Sequence, residues 1–273
     1  MMGRWKILRG LTAVLLVGGV GVLAAGPAEA KESQAKKSVC LISEISQRFQ
    51  LKKIGIMVFG NEEKTIPIPS WKLEDKIYAK AKALLAKNFQ VKQLPAPYEV
   101  FQPLHEQGDL FRDKGAELQA MVRKVAAGSS CDFYLAITCG GSQVGSSNQY
   151  LTGLGVLEAT NIFNDDREIY ALSYMQVYDG KSFEVVKAER GQSDKDPFFE
   201  AIRGPSQRID GEAHASLQAV ADDPKTREIV WAQLERSLDL TLPELFDVGE
   251  LDQAARLKRK PKSKSSKPDW VPF

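Results

Sequence analysis

Residue types able to do chemistry are scarce in this sequence. Its 273 residues include two histidines, His105 and His214, and three cysteines, Cys40, Cys131 and Cys139. His105 falls in a Pro-rich stretch and His214 among small residues, and neither has Cys, His, Asp or Glu neighbours at zinc-site spacing. Each reads as an isolated surface histidine, and no metal or cofactor is expected. Gly140-Gly141-Ser142-Gln143-Val144 approaches a nucleophile elbow, but its final glycine comes one place late, at Gly145. A strand rather than a helix is also predicted to follow. A phosphate cradle would need a helix N-terminus after it and usually a Lys, so Gly140 to Ser147 reads as a mobile β-loop. Asp165-Asp166 reads as a hairpin turn and Asp222-Asp223 as a helix cap. Neither brings the opposed second carboxylate that glycoside chemistry needs. No catalytic residue is assigned.

The cysteines constrain the fold more than the chemistry. Cys131 and Cys139 fall in what reads as one strand, and their spacing puts them about 26 Å apart if it is straight. Any disulfide must therefore include Cys40. Three buried free thiols fit the sequence equally well.

The elements that would position these residues follow from hydrophobic period. Lys53 to Phe59 (K-I-G-I-M-V-F) is the first ordered element expected, a strand covered on both faces. Ser70 is placed as the cap of a helix over Trp71 to Asn88, with Leu73, Ile77, Ala81, Leu84 and Leu85 on one face. A strand, Phe89 to Leu94, comes next. A second helix spans about Asp109 to Ala127, burying Phe111, Leu118, Met121, Val122 and Val125, with Gly128 as its C-terminal cap. Asp132 to Thr138 (D-F-Y-L-A-I-T) is a strand. Gln149 to Ile162 and Glu168 to Tyr178 read as the two long strands of a hairpin turning at Asn164-Asp165-Asp166. Gly153-Leu154-Gly155 within the first marks a bulge or close backbone packing. Asp179-Gly180 is a tight turn, and Phe183 to Ala188 pairs back across it, giving a three-stranded antiparallel meander. Pro197 to Ile202 reads as a short helix. Asp223-Pro224 starts the last helix, which runs to about Leu240 and buries Val230, Trp231, Leu234 and Leu238. The order predicts an α+β fold: a mixed sheet from strand-helix-strand-helix, then a long antiparallel meander, then C-terminal helices.

The two ends differ from this body in composition. Arg4, Lys6 and Arg9 precede an uncharged apolar run, Leu11 to Ala25, then Pro27 and Ala28-Glu29-Ala30, the three-part pattern of a secretory signal. The run is about fifteen residues long, short of a permanent membrane span. The expected organisation is a signal over residues 1–30 cleaved near Ala30, a lead-in over 31–52, a globular domain over 53–250 and a basic disordered tail over 251–273. The tail holds seven basic residues from Arg256 onward against Asp269. The body is correspondingly acidic, with no basic face for nucleic acid. The tail's charge suits peripheral contact with an anionic surface, and Trp270 and Phe273 are its apolar anchors.

The strand ending Phe59-Gly60-Asn61, the charged amphipathic helix, Cys131-Asp132-Phe133-Tyr134-Leu135-Ala136-Ile137 and the hairpin closing on V-Y-D-G-K-S-F-E-V-V resemble a group of bacterial envelope proteins. That group includes the curli secretion lipoprotein, the outer-membrane activator of penicillin-binding protein 1B and the N-terminal domain of TolB. The resemblance covers residues 53–190 and lacks the lipidation cysteine that anchors the first two. It implies action by binding other proteins rather than catalysis.

Together these readings predict a periplasmic or secreted accessory or assembly protein that contacts envelope proteins. The partner surface is expected on the long hairpin at Tyr150, Tyr170, Tyr174 and Tyr178, since Tyr gives amphipathic contact area with few rotors. The alternatives are a periplasmic hydrolase or a small-ligand-binding protein with its site near the Gly140–Ser147 loop.

Overall fold

The computed structural model describes residues 35–55, 61–105, 113–160, 165–194, 202–209, 216–247, 249–251 and 253. The expected signal over residues 1–30, His214, Trp270, Phe273 and nearly all of the expected Pro197–Ile202 helix lie outside them.

The sheet is organised around a strand that the sequence hides. Val39-Cys40-Leu41-Ile42 is a short apolar run behind Lys36 and Lys37, easily taken for part of a polar leader. It forms β1 (Lys37–Ser43), with all four of those residues buried. β1 is central: it pairs in parallel with β4 (Phe89–Leu94) on one side and β5 (Phe133–Cys139) on the other. Lys53 to Phe59 is therefore not the first ordered element. The second strand, β2, is Arg48–Ile54, and residues 56–60 lie outside the described set.

Sheet one has the order β4-β1-β5-β10-β11, where β10 (Ser173–Asp179) and β11 (Val185–Arg190) add antiparallel. Sheet two has the order β3-β2-β8-β9-β12, with β3 (Glu62–Pro67), β8 (Leu154–Thr160), β9 (Asp165–Ala171) and β12 (Ser206–Arg208). β2 and β8 run parallel, and the other pairs of that sheet are antiparallel. A small hairpin, β6 (Gly141–Gln143) with β7 (Tyr150–Thr152), stands beside them. The class is α+β, as expected.

The single meander is not formed, because its long strands break and change sheets at one level. β5 gives way to β6 at Gly140, β7 to β8 at Gly153, and β9 to β10 at Leu172. These three residues close a ring of backbone hydrogen bonds. Gly153 N donates to Gly140 O (3.0 Å), Leu172 N to Gly153 O (2.8 Å) and Gly140 N to Leu172 O (2.9 Å). Each break thus satisfies the polar groups exposed by the other two. Two of the three positions require glycine. Gly153 has φ +64°, and a Cβ there would lie 2.7 Å from Cys139 Sγ; a Cβ on Gly140 would overlap the Ser173 carbonyl. Gly155 packs directly against Tyr170 and the Gln50 backbone, the close approach its sequence context suggested. Asp165 and Asp166 open β9 rather than forming the turn.

Alternation along β1 and β5 sends residues to two cores. Val39, Leu41, Phe133, Leu135 and Ile137 face α1 (Leu73–Leu85) and α5 (Pro224–Leu245). Cys40, Ile42, Tyr134 and Ala136 face α3 (Lys114–Val125), which contributes Leu118 and Val122. α1 starts after Lys72, held at φ 50°, because Pro69–Trp71 forms a 3-10 turn that removes Ser70 from the cap position. Asp113 caps α3 through Ala116 N (3.0 Å) and Asp223 caps α5 through Lys225 N (2.9 Å). α5 continues past Leu240 to Leu245, burying Thr241, Leu242 and Leu245. Among the described residues no helix is long and apolar enough to cross a membrane.

Cys40 and Cys131 form a disulfide, with Cα atoms 5.9 Å apart and a sequence separation of 91, and Cys139 is free. The bond ties β1 to the entrance of β5. A loop of this length restricts the unfolded chain strongly, and Cys131→Ser should cost about 2–5 kcal/mol in urea unfolding. Gly140→Ala should lower the urea midpoint more than Gly128→Ala. At Gly128 (φ +83°) nothing lies within 4 Å of the added Cβ, so only backbone strain of about 1–2 kcal/mol is paid.

Candidate functional site

The connections on either side of β1 run in opposite senses. The chain leaves β1 and returns through α1 to β4 on one edge, then crosses through α3 to β5 on the other, and α1 and α3 cover opposite faces. At such a reversal the two connecting segments diverge, leaving a crevice at the carboxyl ends of the strands. In this chain it lies between β1 and β5.

Each strand delivers one side chain to that crevice. Glu44 follows β1 directly, its amide donating to Ile137 O (2.9 Å) and so extending the β1–β5 pairing by one residue. Cys139 ends β5, and its amide points to Glu44 Oε2 (3.4 Å). His105 arrives from the far side, as the last residue of the 3-10 turn Gln102–His105. Its Nε2 lies directly against Glu44 Oε1, and the side chains are only 9% and 1% exposed. The expectation of a surface histidine fails for His105, because a turn whose sequence is only Q-P-L-H folds it over the end of β1.

These residues form the floor of a cleft of about 750 Å³. One wall is Arg48, Gln50 and Lys52 of β2 with Glu63 and Thr65 of β3, tied by Lys52–Glu63 (2.6 Å) and Gln50–Glu63 (2.6 Å). Another is Asn148, Gln149, Tyr150 and Thr152 of the small hairpin, and Thr138, Tyr174 and Gln176 lie on sheet one.

The four tyrosines divide. Tyr150 is 53% exposed and Tyr174 half-buried, and both line the cleft. Tyr170 and Tyr178 are fully buried, bonded to Gln50 (3.0 Å) and Gln176 (2.8 Å), and burial pushes their phenols up. They are core residues, not partner contacts. Strand alternation alone could not separate them: Tyr170, Tyr174 and Tyr178 share one parity, opposite to Ile169, Ala171, Met175 and Val177 in the main core. What covers Tyr170 and Tyr178 comes from distant segments, Leu151 and Ile202 for the first and α3 for the second. The ring of Tyr150 lies across Gly141, where any Cβ would displace it.

The Gly140–Ser147 segment forms β6 and a turn instead of an open loop. Ser142 is buried there, accepting from Arg203 N (2.8 Å) and donating to Gln143 O (3.1 Å), which ties its hydroxyl into the framework. The Cys139 thiol is also unsuited to attack. Burial pushes its pKa well above the ordinary thiol range, and the Glu44 carboxylate pushes it further, against a smaller opposing pull from Arg48. The imidazole that would activate it is engaged by Glu44 instead. What the arrangement can do is bind, through a polar, mixed-charge surface with two accessible aromatic rings.

No family model matches the chain, and neither does any curated protein sequence. Solved bacterial structures overlap it loosely. A neuraminyllactose-binding hemagglutinin homolog from Helicobacter pylori is 9% identical, covering 85% of this chain and 95% of that one at a TM-score of 0.38. A Xanthomonas campestris protein of family DUF330 is 12% identical over 75% and 82% of the two chains, with a TM-score of 0.32. The lipoprotein GNA1162 of Neisseria meningitidis is 12% identical over 56% and 79%, with a TM-score of 0.25.

Since thiolate is the reactive form, Cys139 should alkylate more slowly at pH 8 than a free cysteine. Glu44→Gln removes the adjacent negative charge, lowers the thiol pKa and should raise that rate several-fold; an unchanged or slower rate would contradict the assignment.

Proposed function

We propose that this chain is an exported, non-catalytic accessory or assembly protein of the bacterial cell envelope that works by binding a protein partner in the cleft over β1 and β5. The observation that carries the reading is the convergence of Tyr150 and Tyr174 with Asn148, Gln149, Gln176 and the Arg48–Lys52–Glu63 wall around one opening. Aromatic anchors within a hydrogen-bonding rim are the usual anatomy of a protein contact surface. Export is supported by the signal-like pattern of residues 1–30 and by the Cys40–Cys131 disulfide, a bond that persists in oxidising compartments.

A cleft of about 750 Å³ also lies in the range of small-ligand sites, so a small polar ligand is the second reading. Affinity capture from envelope extracts, comparing the processed chain with a Tyr150→Ala/Tyr174→Ala variant, separates the two. Each truncation of a buried anchor costs above about 1 kcal/mol, so partner recovery should fall at least about fivefold. Equal recovery by both proteins rejects the cleft as the contact. Recovery of a low-molecular-weight ligand, with no protein cross-linked at the cleft, selects the second reading. Fractionation of the source cells should find a periplasmic or secreted chain beginning near Lys31. A cytosolic chain beginning at Met1 rejects export.

A further inference from the structure

The floor of the cleft has a composition that a partner surface does not require. Glu44, His105 and Cys139 each turn one ligand atom inward, and the carboxylate oxygen, imidazole nitrogen and sulfur all lie within 4.8 Å of one another. Ligand atoms around a tetrahedral zinc ion are about 3.3–3.6 Å apart, given bonds of about 2.0–2.3 Å, so side-chain shifts of about 1 Å, which part the touching Glu44 and His105 atoms, would bring the set onto one ion.

Two of the polar atoms meet in a covered contact. Glu44 Oε1 and His105 Nε2 lie against each other with both side chains at least nine-tenths covered, and neither atom has a further hydrogen-bond partner. A buried carboxylate normally accepts several hydrogen bonds, and leaving one unsatisfied is costly. With that pair parted to coordination spacing, a cation would be held by both.

We propose that Glu44, His105 and Cys139 form a three-ligand site for one divalent transition-metal ion of the zinc class, with its remaining coordination position open to the cleft. The donor set argues for that class. Calcium and magnesium take oxygen ligands and would leave sulfur and nitrogen unused. One thiolate, one imidazole and one carboxylate suit a borderline ion. Charge balances too: a thiolate and a carboxylate neutralise a divalent ion, whereas the same buried groups without it hold a carboxylate beside a thiol.

The placement is equally specific. Two ligands terminate adjacent parallel strands whose register is fixed through Ser43 and Ile137, and the third arrives on a separate turn. Three protein ligands with an exit to a cleft is the form of a site that takes a water or a group of the bound molecule as its fourth ligand. The site does not depend on the partner reading. Metal can bind without a protein partner, and a partner can be captured without metal.

The test uses the processed, tag-free protein with its Cys40–Cys131 disulfide intact. Zinc is titrated in competition with a chromophoric chelator, and cobalt(II) is titrated separately. One equivalent of metal should bind, and cobalt should develop thiolate-to-metal charge transfer in the near ultraviolet with visible bands of four-coordinate intensity. Cys139→Ser should abolish the charge-transfer feature, and both Cys139→Ser and His105→Gln should weaken zinc binding at least tenfold with an unchanged circular dichroism spectrum. If His105→Gln does not fold, Cys139→Ser alone decides, being nearly isosteric. Absence of stoichiometric binding overturns the site, as does one equivalent bound with no sulfur signature or with affinity unchanged in Cys139→Ser.

Discussion

Three backbone amides and three carbonyls, on Gly140, Gly153 and Leu172, fix where this molecule stops being one sheet and becomes two. An uninterrupted Gln149–Ile162 strand paired with an uninterrupted Glu168–Tyr178 strand would have made a flat, exposed ribbon. Breaking both and closing the breaks on each other lets β9 and β10 enter different sheets with the three amides at the junction paired. The same junction sets the cleft. Cys139 sits one residue before Gly140 with its sulfur against Gly153, and Tyr150 lies across Gly141. A side chain at these glycines would move the floor and the rim together.

The cleft itself follows from topology. With β4 on one side of β1 and β5 on the other, and with α1 and α3 on opposite faces, the carboxyl ends of β1 and β5 are the place where the connecting segments diverge. Glu44 occupies that place as the residue after the strand ends. Its burial at 1% exposure is tolerable only because the Cys139 amide and the His105 ring approach it. A carboxylate in this position holds the neighbouring thiol protonated, favouring recognition over covalent chemistry.

Much of the body was legible in local pattern. The helices α1, α3 and α5, the strands β4, β5 and β10, the Asp223 cap and the close-packed Gly155 all carried period or cap signals strong enough to place them. β1 was not legible, because four apolar residues flanked by lysines do not distinguish a central parallel strand from a leader; its burial comes from partners at residues 89–94 and 133–137. The division of the tyrosines was not legible either, since Tyr170, Tyr174 and Tyr178 share one strand face by parity and differ only in which distant segments cover them. The trio Glu44, His105 and Cys139 has separations too long for any motif. The only hint was the elimination that left Cys139 as an odd thiol if Cys40 paired with Cys131.

The central strand comes from the very start of the folded body, and this orders events in time. A chain threaded N-terminus first, from a ribosome or a translocation pore, delivers β1 long before β4 and β5 can flank it. Until residue 94 has emerged both edges of a strand with an apolar centre stand unpaired, and until residue 139 one still does, the condition in which nascent chains associate wrongly. The Cys40–Cys131 bond can close only once residue 131 has arrived. Its oxidation thus pins the entrance of β5 beside β1, a step that needs neither β10 nor β11.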